Sequence, residues 1–313
     1  FQDALQYLES DLRNWRSFKK SIRHATHFSH GVFELMPIAS DRYYTYKYVN
    51  AHPANPKQGK LSIVALGMLA DVQTGYPQLV CDMTLLTAVR TAAMSALAAK
   101  HFAMPDAHVL GLIGTGAQSE FQVHAMRSVR PIETVRYFDR DTRAMRKFAR
   151  NMEASGLKLI ACRDGDEVVR GCDIVTTCIC EKKKVRLFSY ESVRTNRRLF
   201  INAIGGDCPG KTELDPKILK NSRIIVEYYD QTKIEGEIQN VRGDVLHDEM
   251  WEVVTGKKKG RRVSDGIIVF DSVGFALADH AVLRMLYEQV NGTDVALVPA
   301  PKDAKNLFAE FSR

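Results

Sequence analysis

The run GLIGTGAQSEFQ holds two glycines at a spacing suited to a phosphate-binding turn. Gly114 and Gly116 follow an apolar segment with strand character and precede a segment of helical period, which is how a β-α-β unit begins. Glycine at such a turn lets the backbone approach a pyrophosphate, and the N–H groups at the helix start attract its charge. Ser119 stands where the usual G-x-G-x-x-G pattern has its third glycine, so these residues alone also fit a plain turn.

An acidic residue after the next predicted strand strengthens the dinucleotide interpretation. Asp139 ends TVRYFD, where a carboxylate can accept hydrogen bonds from the adenosine ribose. The same carboxylate repels a 2′-phosphate, so the pattern favours NAD over NADP. Arg140 and Arg143 follow closely and leave NADP as an alternative, and an aspartate in this place is also a common turn residue.

Two kinds of sheet are predicted to position these residues. Short apolar runs alternate with helical or loop segments in the second third of the chain and beyond, which predicts an α/β fold with a doubly wound parallel sheet of the Rossmann type. Earlier runs are separated by turn-rich breaks and predict a mostly antiparallel α+β domain. The parallel runs are VLGLIG, TVRYFD, DIVTTC, RLFINAIG, SRIIVEY and GIIVFD, and the antiparallel runs are GVFELMPI, YYTYKYV and LSIVALGMLADV.

Three further segments have the period of a helix, and the length of the chain predicts two domains. Apolar positions three and four residues apart predict a helix from Asp3 to Trp15, and an alanine- and leucine-rich stretch predicts another from Leu85 to Ala103. A third helix begins near Phe275. At 313 residues two domains are expected. We expect a substrate-binding domain of residues 1–105, completed by 273–313, and a dinucleotide-binding Rossmann domain of residues 106–272.

Composition narrows the classes of partner. The formal net charge of +7 is concentrated in runs such as Lys182–Lys184 and Lys257–Arg262, without the interleaved aromatic residues of a nucleic-acid protein. His24, His27 and His30 recur at intervals of three, but no carboxylate completes a metal site.

The cysteines and the hydropathy indicate where in the cell the protein is located. Six scattered cysteines lack paired spacing and favour reduced thiols and a cytoplasmic protein. Apolar runs are too short to span a bilayer, and no secretory signal opens the chain, although it begins at Phe1 without an initiating Met.

The most specific stretch is INAIGGDCPGKTELDPKIL, followed by VEYYDQTKIEGEIQ. It resembles the signature of the ornithine cyclodeaminase and mu-crystallin family. The similarity runs nearly end to end through FELMP, YKYVNAHPAN, LADVQTGYP, LTAVRTAAMSALAAK, GTGAQSEFQ, IEGEIQ and FDSVGFAL. The resemblance implies that the N-terminal domain also mediates a homodimer.

The resemblance also assigns roles to single residues. Arg23, Lys47 and Arg90 are implied to hold the α-carboxylate of an amino-acid substrate, which guanidinium and ammonium groups suit chemically. Asp207 is implied to be the catalytic acid/base that binds the distal amine and accepts its proton, and Glu34 a second catalytic carboxylate that acts through water.

The same resemblance completes the cofactor and substrate sets. Val273 is implied to be a neighbour of the substrate. The residues implied to contact NAD are Ser62, Arg90, Gly114, Gly116, Ala117, Gln118, Asp139, Lys211 and Ser272.

The implied reaction is an NAD-dependent lyase reaction of amino-acid metabolism and proline biosynthesis. A hydride leaves the α-carbon of L-ornithine, the distal amine closes a ring on that carbon with release of ammonia, and the hydride returns to give L-proline. Ornithine, lysine or a shorter diamino acid all remain possible substrates, because one methylene contributes little discrimination. A ketimine reductase or amino-acid dehydrogenase of the family is an alternative, as is a non-catalytic mu-crystallin-like protein, which would bind NADP and lack an acid at position 139.

Overall fold

The computed structural model of the chain describes residues 1–181, 183–241, 243, 245–289, 306 and 308. The chain divides into two compact units: Phe1–Met94 with the described residues from Phe275 onward, and Ser95–Gly274. Lys182 of the basic run lies outside the described residues. So does most of the predicted segment 273–313 beyond residue 289.

The first unit is a sheet of antiparallel strands with helices. Among its described residues the strands pair in the order β1-β3-β4-β5-β6, and β2 pairs with β3 on the same edge as β1, opposite β4. The elements are α1 Gln2–Arg13, β1 Lys19–Lys20, β2 His24–Phe28, β3 Gly31–Ala39, β4 Tyr43–Ala51, β5 Ile63–Asp71, β6 Pro77–Asp82, α2 Thr84–Phe102, which continues into the second unit, and α9 Ala276–Gln289.

Side-chain alternation gives this sheet two different faces. Along β3 and β4 the buried positions are mainly every second residue, which is the period of a strand with one covered face. Helix α9 packs against β4 and β5 on the covered face, where a Cβ at Gly67 would lie 2.8 Å from Leu283. The absence of a side chain at Gly67 thus lets α9 approach the sheet closely.

The second unit is a parallel sheet with helices between its strands. Within the described residues its strand order is β13-β12-β14-β11-β10-β7-β8-β9, and every pair is parallel. Its further elements are β7 Val109–Ile113, α3 Ser119–Arg127, β8 Thr134–Phe138, α4 Thr142–Met152, β9 Lys158–Ala161, α5 Gly165–Val169, β10 Ile174–Thr177, β11 Phe200–Ala203, α6 Pro216–Lys220, β12 Ser222–Val226, α7 Tyr229–Glu235, β13 His247–Glu249, α8 Met250–Val254 and β14 Ile267–Asp271.

The predicted fold class is confirmed in both units. Strands β10, β11 and β14 are buried along their whole length, as expected of parallel strands covered on both faces. The predicted helices at Asp3, Leu85 and Phe275 correspond to α1, α2 and α9. No helix in the described part of the chain combines the length and apolarity needed to cross a membrane.

Candidate active site

The carboxyl ends of the parallel strands carry most of the residues predicted for the cofactor. Because these strands all run in one direction, their carboxyl ends lie along one edge of the sheet. The strand order reverses at β7, which has β8 on one side and β10 on the other, and doubly wound sheets bind ligands at such a reversal. In strand order this edge carries Asp139 after β8, Gly114 after β7, Cys178 after β10, Asp207 beyond β11 and Ser272 after β14.

The turn between β7 and α3 contains two glycines with different roles. Gly114 has a left-handed φ of 101°, and a Cβ there would lie 2.7 Å from the carbonyl oxygen of Cys178. A Cβ at Gly116 would meet no atom of the described residues within 4 Å outside its own chain neighbours. Folding therefore requires glycine at position 114, whereas Gly116 leaves open space at the start of α3, beside Ala117 and Gln118.

A buried ion pair fixes the backbone of the same turn. The Lys147 ammonium on α4 donates to the Gly116 carbonyl oxygen at 2.9 Å and to the Glu120 carboxylate at 2.7 Å. The Ser119 hydroxyl lies 2.7 Å from both the same carbonyl oxygen and Glu120 Oε2. The serine at the third motif position is thus part of the network that closes the turn.

Asp139 lies at the end of β8, as the strand pattern predicts. Its carboxylate accepts the N–H of Thr115 at 2.7 Å and the N–H of Asp141 at 2.8 Å. A carboxylate has about four acceptor positions, so these bonds orient the group and leave capacity for ribose hydroxyls. Arg140 is paired with Glu181 at 2.6 Å on the surface.

Asp207 lies in the loop beyond β11 and forms an ion pair with Lys211. The lysine Nζ donates to Asp207 Oδ1 at 2.8 Å; the lysine side chain is 9% exposed and the aspartate side chain 47%. Burial alone would lower the pKa of Lys211, but the carboxylates of Asp207 and Glu213 raise it above its usual value. Lys211 therefore stays a cation at neutral pH and holds a partly exposed carboxylate.

The two glycines before Asp207 leave room for buried acids. A Cβ at Gly205 would lie 1.9 Å from Glu213 Oε1, and a Cβ at Gly206 would lie 2.5 Å from Glu237 Oε1. Both glutamates are completely buried. The Gly-Gly pair of the motif is therefore required by carboxylates that lie against the main chain.

These acids join three separate motifs through backbone amides. Glu237 Oε1 accepts the N–H of Glu213 at 2.6 Å, and Asp271 Oδ1 accepts the N–H of Glu237 at 2.9 Å. A Cβ at Gly236 would lie 2.6 Å from Asp271 Oδ2. Burial raises the pKa of Asp271 to about 7, against the opposing effect of the backbone N–H groups it accepts. The motifs GGDCPGKTEL, IEGEIQ and FDSVGFAL thus meet in one buried network.

Ser272 and Val273 follow β14 and are both buried. The Ser272 hydroxyl donates to Glu227 Oε1, which also accepts the N–H of Gly274 at 3.2 Å. Glu227 follows β12 and was not identified from the sequence. It orients the serine hydroxyl that the sequence assigned to the cofactor.

The first unit brings together the residues predicted to hold a carboxylate. Arg23 donates to Glu34 Oε2 at 2.8 Å. Lys47 on β4 lies 2.8 Å, and Arg90 on α2 lies 3.0 Å, from the same oxygen of Asp279 on α9. Among the described residues, Glu34 and Asp279 are therefore carboxylates that contact these three cations.

Burial makes the lysine of this cluster unusual. Lys47 has no exposed surface. Burial and the neighbouring Arg90 lower its pKa to about 8, although Asp279 opposes the shift. The cluster thus contains an ammonium that titrates close to physiological pH.

Sequence reasoning missed Asp279, although a signal was present. It is an isolated acid within the apolar run FALADHAVL, and a buried carboxylate needs a cationic partner. Ser62, assigned to the cofactor, lies just before β5 in the first unit, where its carbonyl oxygen accepts the N–H of His52 at 2.8 Å.

The histidines that could be mistaken for a metal site lie on and beside a strand. His24 and His27 are three residues apart on β2, so their side chains point to opposite faces of the sheet, and His30 lies in the following turn. Among the described residues no group of three or more His, Cys, Asp or Glu side chains is placed to hold a metal ion.

Comparison with known proteins identifies the family. The sequence profile of the ornithine cyclodeaminase/mu-crystallin family matches residues 1–294. The chain belongs to this family. An ornithine cyclodeaminase from Brucella suis biovar 1 is 43% identical over 311 residues, which cover 98% of this chain and 86% of the relative.

Two solved structures have a similar fold. A lysine cyclodeaminase, whose structure concerns recognition of L-lysine, L-ornithine and L-2,4-diaminobutyric acid, superimposes with a TM-score of 0.85 at 30% identity and covers 97% of this chain and 91% of its own. An archaeal alanine dehydrogenase dimer with bound NAD superimposes with a TM-score of 0.85 at 34% identity and covers 92% of this chain and 90% of its own.

The second unit fits a dinucleotide of the kind bound by that dehydrogenase. Gly116 leaves open space at the start of a nine-residue helix, and the Asp139 carboxylate is held beside the same turn. These two features suit a pyrophosphate and an adenosine ribose. The family resemblance inferred from the motifs is thereby matched by geometry in this chain.

Proposed function

We propose that this chain converts L-ornithine into L-proline and ammonia with NAD as cofactor. The observation that carries the proposal is Asp207, a partly exposed carboxylate held by the buried Lys211 cation at the sheet edge that bears the glycine turn. A group of this kind can bind an ammonium and then remove its proton. The similarity to ornithine cyclodeaminases over 98% of the chain supports the same activity.

The cation cluster of the first unit suits the α-carboxylate of an amino-acid substrate. Arg23, Lys47 and Arg90 supply three cationic groups, and Glu34 and Asp279 neutralise two of those charges. An α-carboxylate would give the cluster a further anionic partner. Fixing one end of a flexible diamino acid in this way reduces the freedom that its distal amine must lose before it can react.

Proton transfer at Asp207 drives ring closure in this proposal. When bound, NAD accepts the α-hydrogen as a hydride and returns it to the ring. Asp207 takes a proton from the distal ammonium, and the freed nitrogen lone pair forms the new bond to the oxidised α-carbon. The Asp207 carboxyl then gives that proton to the α-nitrogen, and the ring nitrogen releases one of its two protons to solvent. The bond between the α-carbon and the α-nitrogen breaks, ammonia leaves as the ring imine forms, and the carboxylate is restored.

Isotope position tests this reaction. With ornithine labelled by ¹⁵N at the distal nitrogen, we expect labelled proline and unlabelled ammonia, because the α-nitrogen is the one expelled. Lysine and 2,4-diaminobutyrate should be compared at the same concentrations, since the solved lysine cyclodeaminase recognises both. Label in the ammonia, or no ring product from any of the three, would contradict the proposal.

The Asp207→Asn variant tests the catalytic carboxylate. We expect kcat to fall by roughly 100-fold or more while the Kd for NAD stays within about twofold, because the amide cannot accept the proton. Asp230→Asn, which alters an exposed acid of the same unit, is the matched control. Proline formation by Asp207→Asn at the rate of the control would refute the assignment.

An amino-acid dehydrogenase is the second candidate, favoured by the likeness to alanine dehydrogenase. A dehydrogenase releases its oxo acid with the cofactor still reduced, whereas a cyclodeaminase returns the cofactor to its starting state. Net accumulation of NADH with ornithine, followed by nicotinamide absorbance, would therefore favour the dehydrogenase.

We propose a homodimer formed through the outer face of the antiparallel sheet. Strand register places a set of apolar side chains side by side on this face, opposite to α9. An exposed apolar patch of this kind is typical of a subunit interface. The set, here called the outer face, is Leu35, Pro37, Tyr46, Tyr48, Leu66, Met68 and Val80.

A cytoplasmic location fits the same proposal. All six cysteines are thiols rather than disulfides, as expected of a protein kept under reducing conditions.

A further inference from the structure

Glu213 is a completely buried acid beside the proposed catalytic loop, and the reaction described above does not use it. Its Oε1 accepts the N–H of Ile179, just after β10, at 2.9 Å, and it occupies the space that a side chain at Gly205 would need. It therefore lies between the chain after β10 and the backbone that leads to Asp207.

Hydrogen bonding alone does not explain why this residue is an acid. The Thr177 hydroxyl also favours the ionised form of Glu213, but Oε2 has no hydrogen bond of good geometry among the described residues. Burying a carboxylate that accepts so few hydrogen bonds costs free energy. A glutamine side chain could accept the hydrogen bond from the Ile179 N–H equally well. The charge that Glu213 can carry is therefore what distinguishes it from a glutamine at this position.

Among the described residues, Lys211 is the cation that acts most strongly on Glu213. Lys211 is positive and favours the ionised form of Glu213. Interactions with Asp207, Cys178 and Glu237 disfavour that form. Burial raises the pKa of Glu213 to about 7, and Lys211 counters this effect.

Further titratable groups near the pair are acids, thiols and one more cation, Lys147, which acts on Cys178. Cys180 faces Lys211, and Asp271 faces Glu237. Burial raises the pKa of Cys178 well above its usual value, so this thiol is neutral. Lys211 is thus shared by two carboxylates, one buried and one partly exposed.

We propose that Glu213 is a positioning residue that shares the charge of Lys211 and so leaves the Asp207 carboxylate able to take a proton from the substrate. This inference rests on the proposed role of Asp207. When Glu213 is ionised, its negative charge partly neutralises the Lys211 ammonium from the buried side. Lys211 then attracts the Asp207 carboxylate less strongly. When Glu213 is protonated, the Asp207–Lys211 pair tightens and the carboxylate becomes a weaker base.

The kinetic test uses Glu213→Gln, which keeps the size and the acceptor for Ile179. We expect kcat to fall about 10-fold or more at pH 8, with the Kd for NAD unchanged. In the wild-type protein kcat should fall as the pH drops through about 7, where Glu213 takes up its proton, and this step should be missing in Glu213→Gln. Glu213→Asp, which restores the charge, should recover part of the rate.

An infrared titration tests the charge sharing without turnover. The carbonyl stretch of a protonated carboxyl, seen in the wild-type minus Glu213→Gln difference spectrum, should appear as the pH falls through about 7. In the Lys211→Met background its midpoint should move up by roughly one pH unit or more, because the stabilising cation is gone. An unchanged midpoint would overturn the inference, whatever the kinetics.

The two proposals fail in different ways. Normal kcat and an unaltered pH profile in Glu213→Gln, beside an inactive Asp207→Asn, overturn the role of Glu213 alone. Turnover by Asp207→Asn overturns the proposed function, and the infrared midpoint still decides whether Glu213 and Lys211 are coupled.

Discussion

Lys47 combines complete burial with two nearby cations, and this has a consequence for substrate binding. Its ammonium is desolvated and faces Arg90, and a single oxygen of Asp279 is its charged hydrogen-bond partner. Because its pKa is lowered to about 8, the charge is present below that pH and is lost above it. A bound α-carboxylate stabilises the charged form, so above pH 8 binding must take up a proton.

This linkage predicts a pH dependence of KM. Between pH 7 and 9 we expect KM for ornithine to rise once the pH passes about 8, by up to tenfold per pH unit. Lys47→Met should have a higher KM at pH 7 and should lack the additional rise. Titration of the substrate's own amines is common to both proteins and cancels in the comparison. A wild-type KM that tracks the variant across this range would show that Lys47 does not carry the charge that binds the substrate.

At the scale of elements, the turn from β7 to α3 contains two glycines with different functions. Folding requires one of them, and the other lets a ligand approach the backbone. Gly114 has a left-handed φ and lies against Cys178, whereas Gly116 faces open space. We expect Gly114→Ala to lower the free energy of unfolding by about 1–3 kcal/mol. Gly116→Ala should leave that free energy within about 0.5 kcal/mol of wild type and weaken NAD binding by roughly tenfold or more.

Denaturant unfolding and fluorescence titration with NAD distinguish these effects. Gly171→Ala provides a reference, because Gly171 has a left-handed φ of 75° with no other described residue crowding the Cβ position. It measures the cost of the backbone conformation without a clash. Equal stability of Gly114→Ala and Gly171→Ala would mean that the contact with Cys178 costs nothing, and unimpaired NAD binding by Gly116→Ala would contradict the role of the turn.

Local pattern was sufficient to predict the elements whose side chains follow one clear period. The buried strands β10, β11 and β14 are continuous apolar runs, and α2 is a long stretch of strong helix formers. Strand β2, HATHF, is largely exposed and polar, so no hydrophobic pattern marks it; it is held by pairing with β3.

Contacts between distant residues explain what the sequence could not predict about the site. Lys47 and Asp279 are 232 positions apart, and neither alternation nor spacing indicates that β4 and α9 bring them together. The family motif pointed to Asp207 and Lys211, but the acids beneath them follow from the tertiary packing of three motifs. Periodicity reports which face of an element is covered, and it does not report what covers it.

At the scale of the whole molecule, the outer face predicts the oligomeric state. We expect the wild-type protein to have the mass of a dimer in light scattering, and the double variant Leu35→Glu/Val80→Glu to be a monomer, because four buried charges would face each other across a two-fold interface. Val263→Glu, at a fully exposed position of the second unit, is the control. A double variant that stays dimeric at micromolar concentration would place the interface elsewhere.

The pairing of three buried carboxylates with glycines also constrains how this protein can be recombined with its relatives. Gly205 accommodates Glu213 and Gly206 accommodates Glu237, while Gly236 accommodates Asp271 from a third stretch of chain. A chimera that grafts one of these segments from a relative with bulkier residues there would place a methyl group into an oxygen at less than 3 Å. The three segments must therefore be exchanged together, as a single cassette, for a hybrid enzyme to fold.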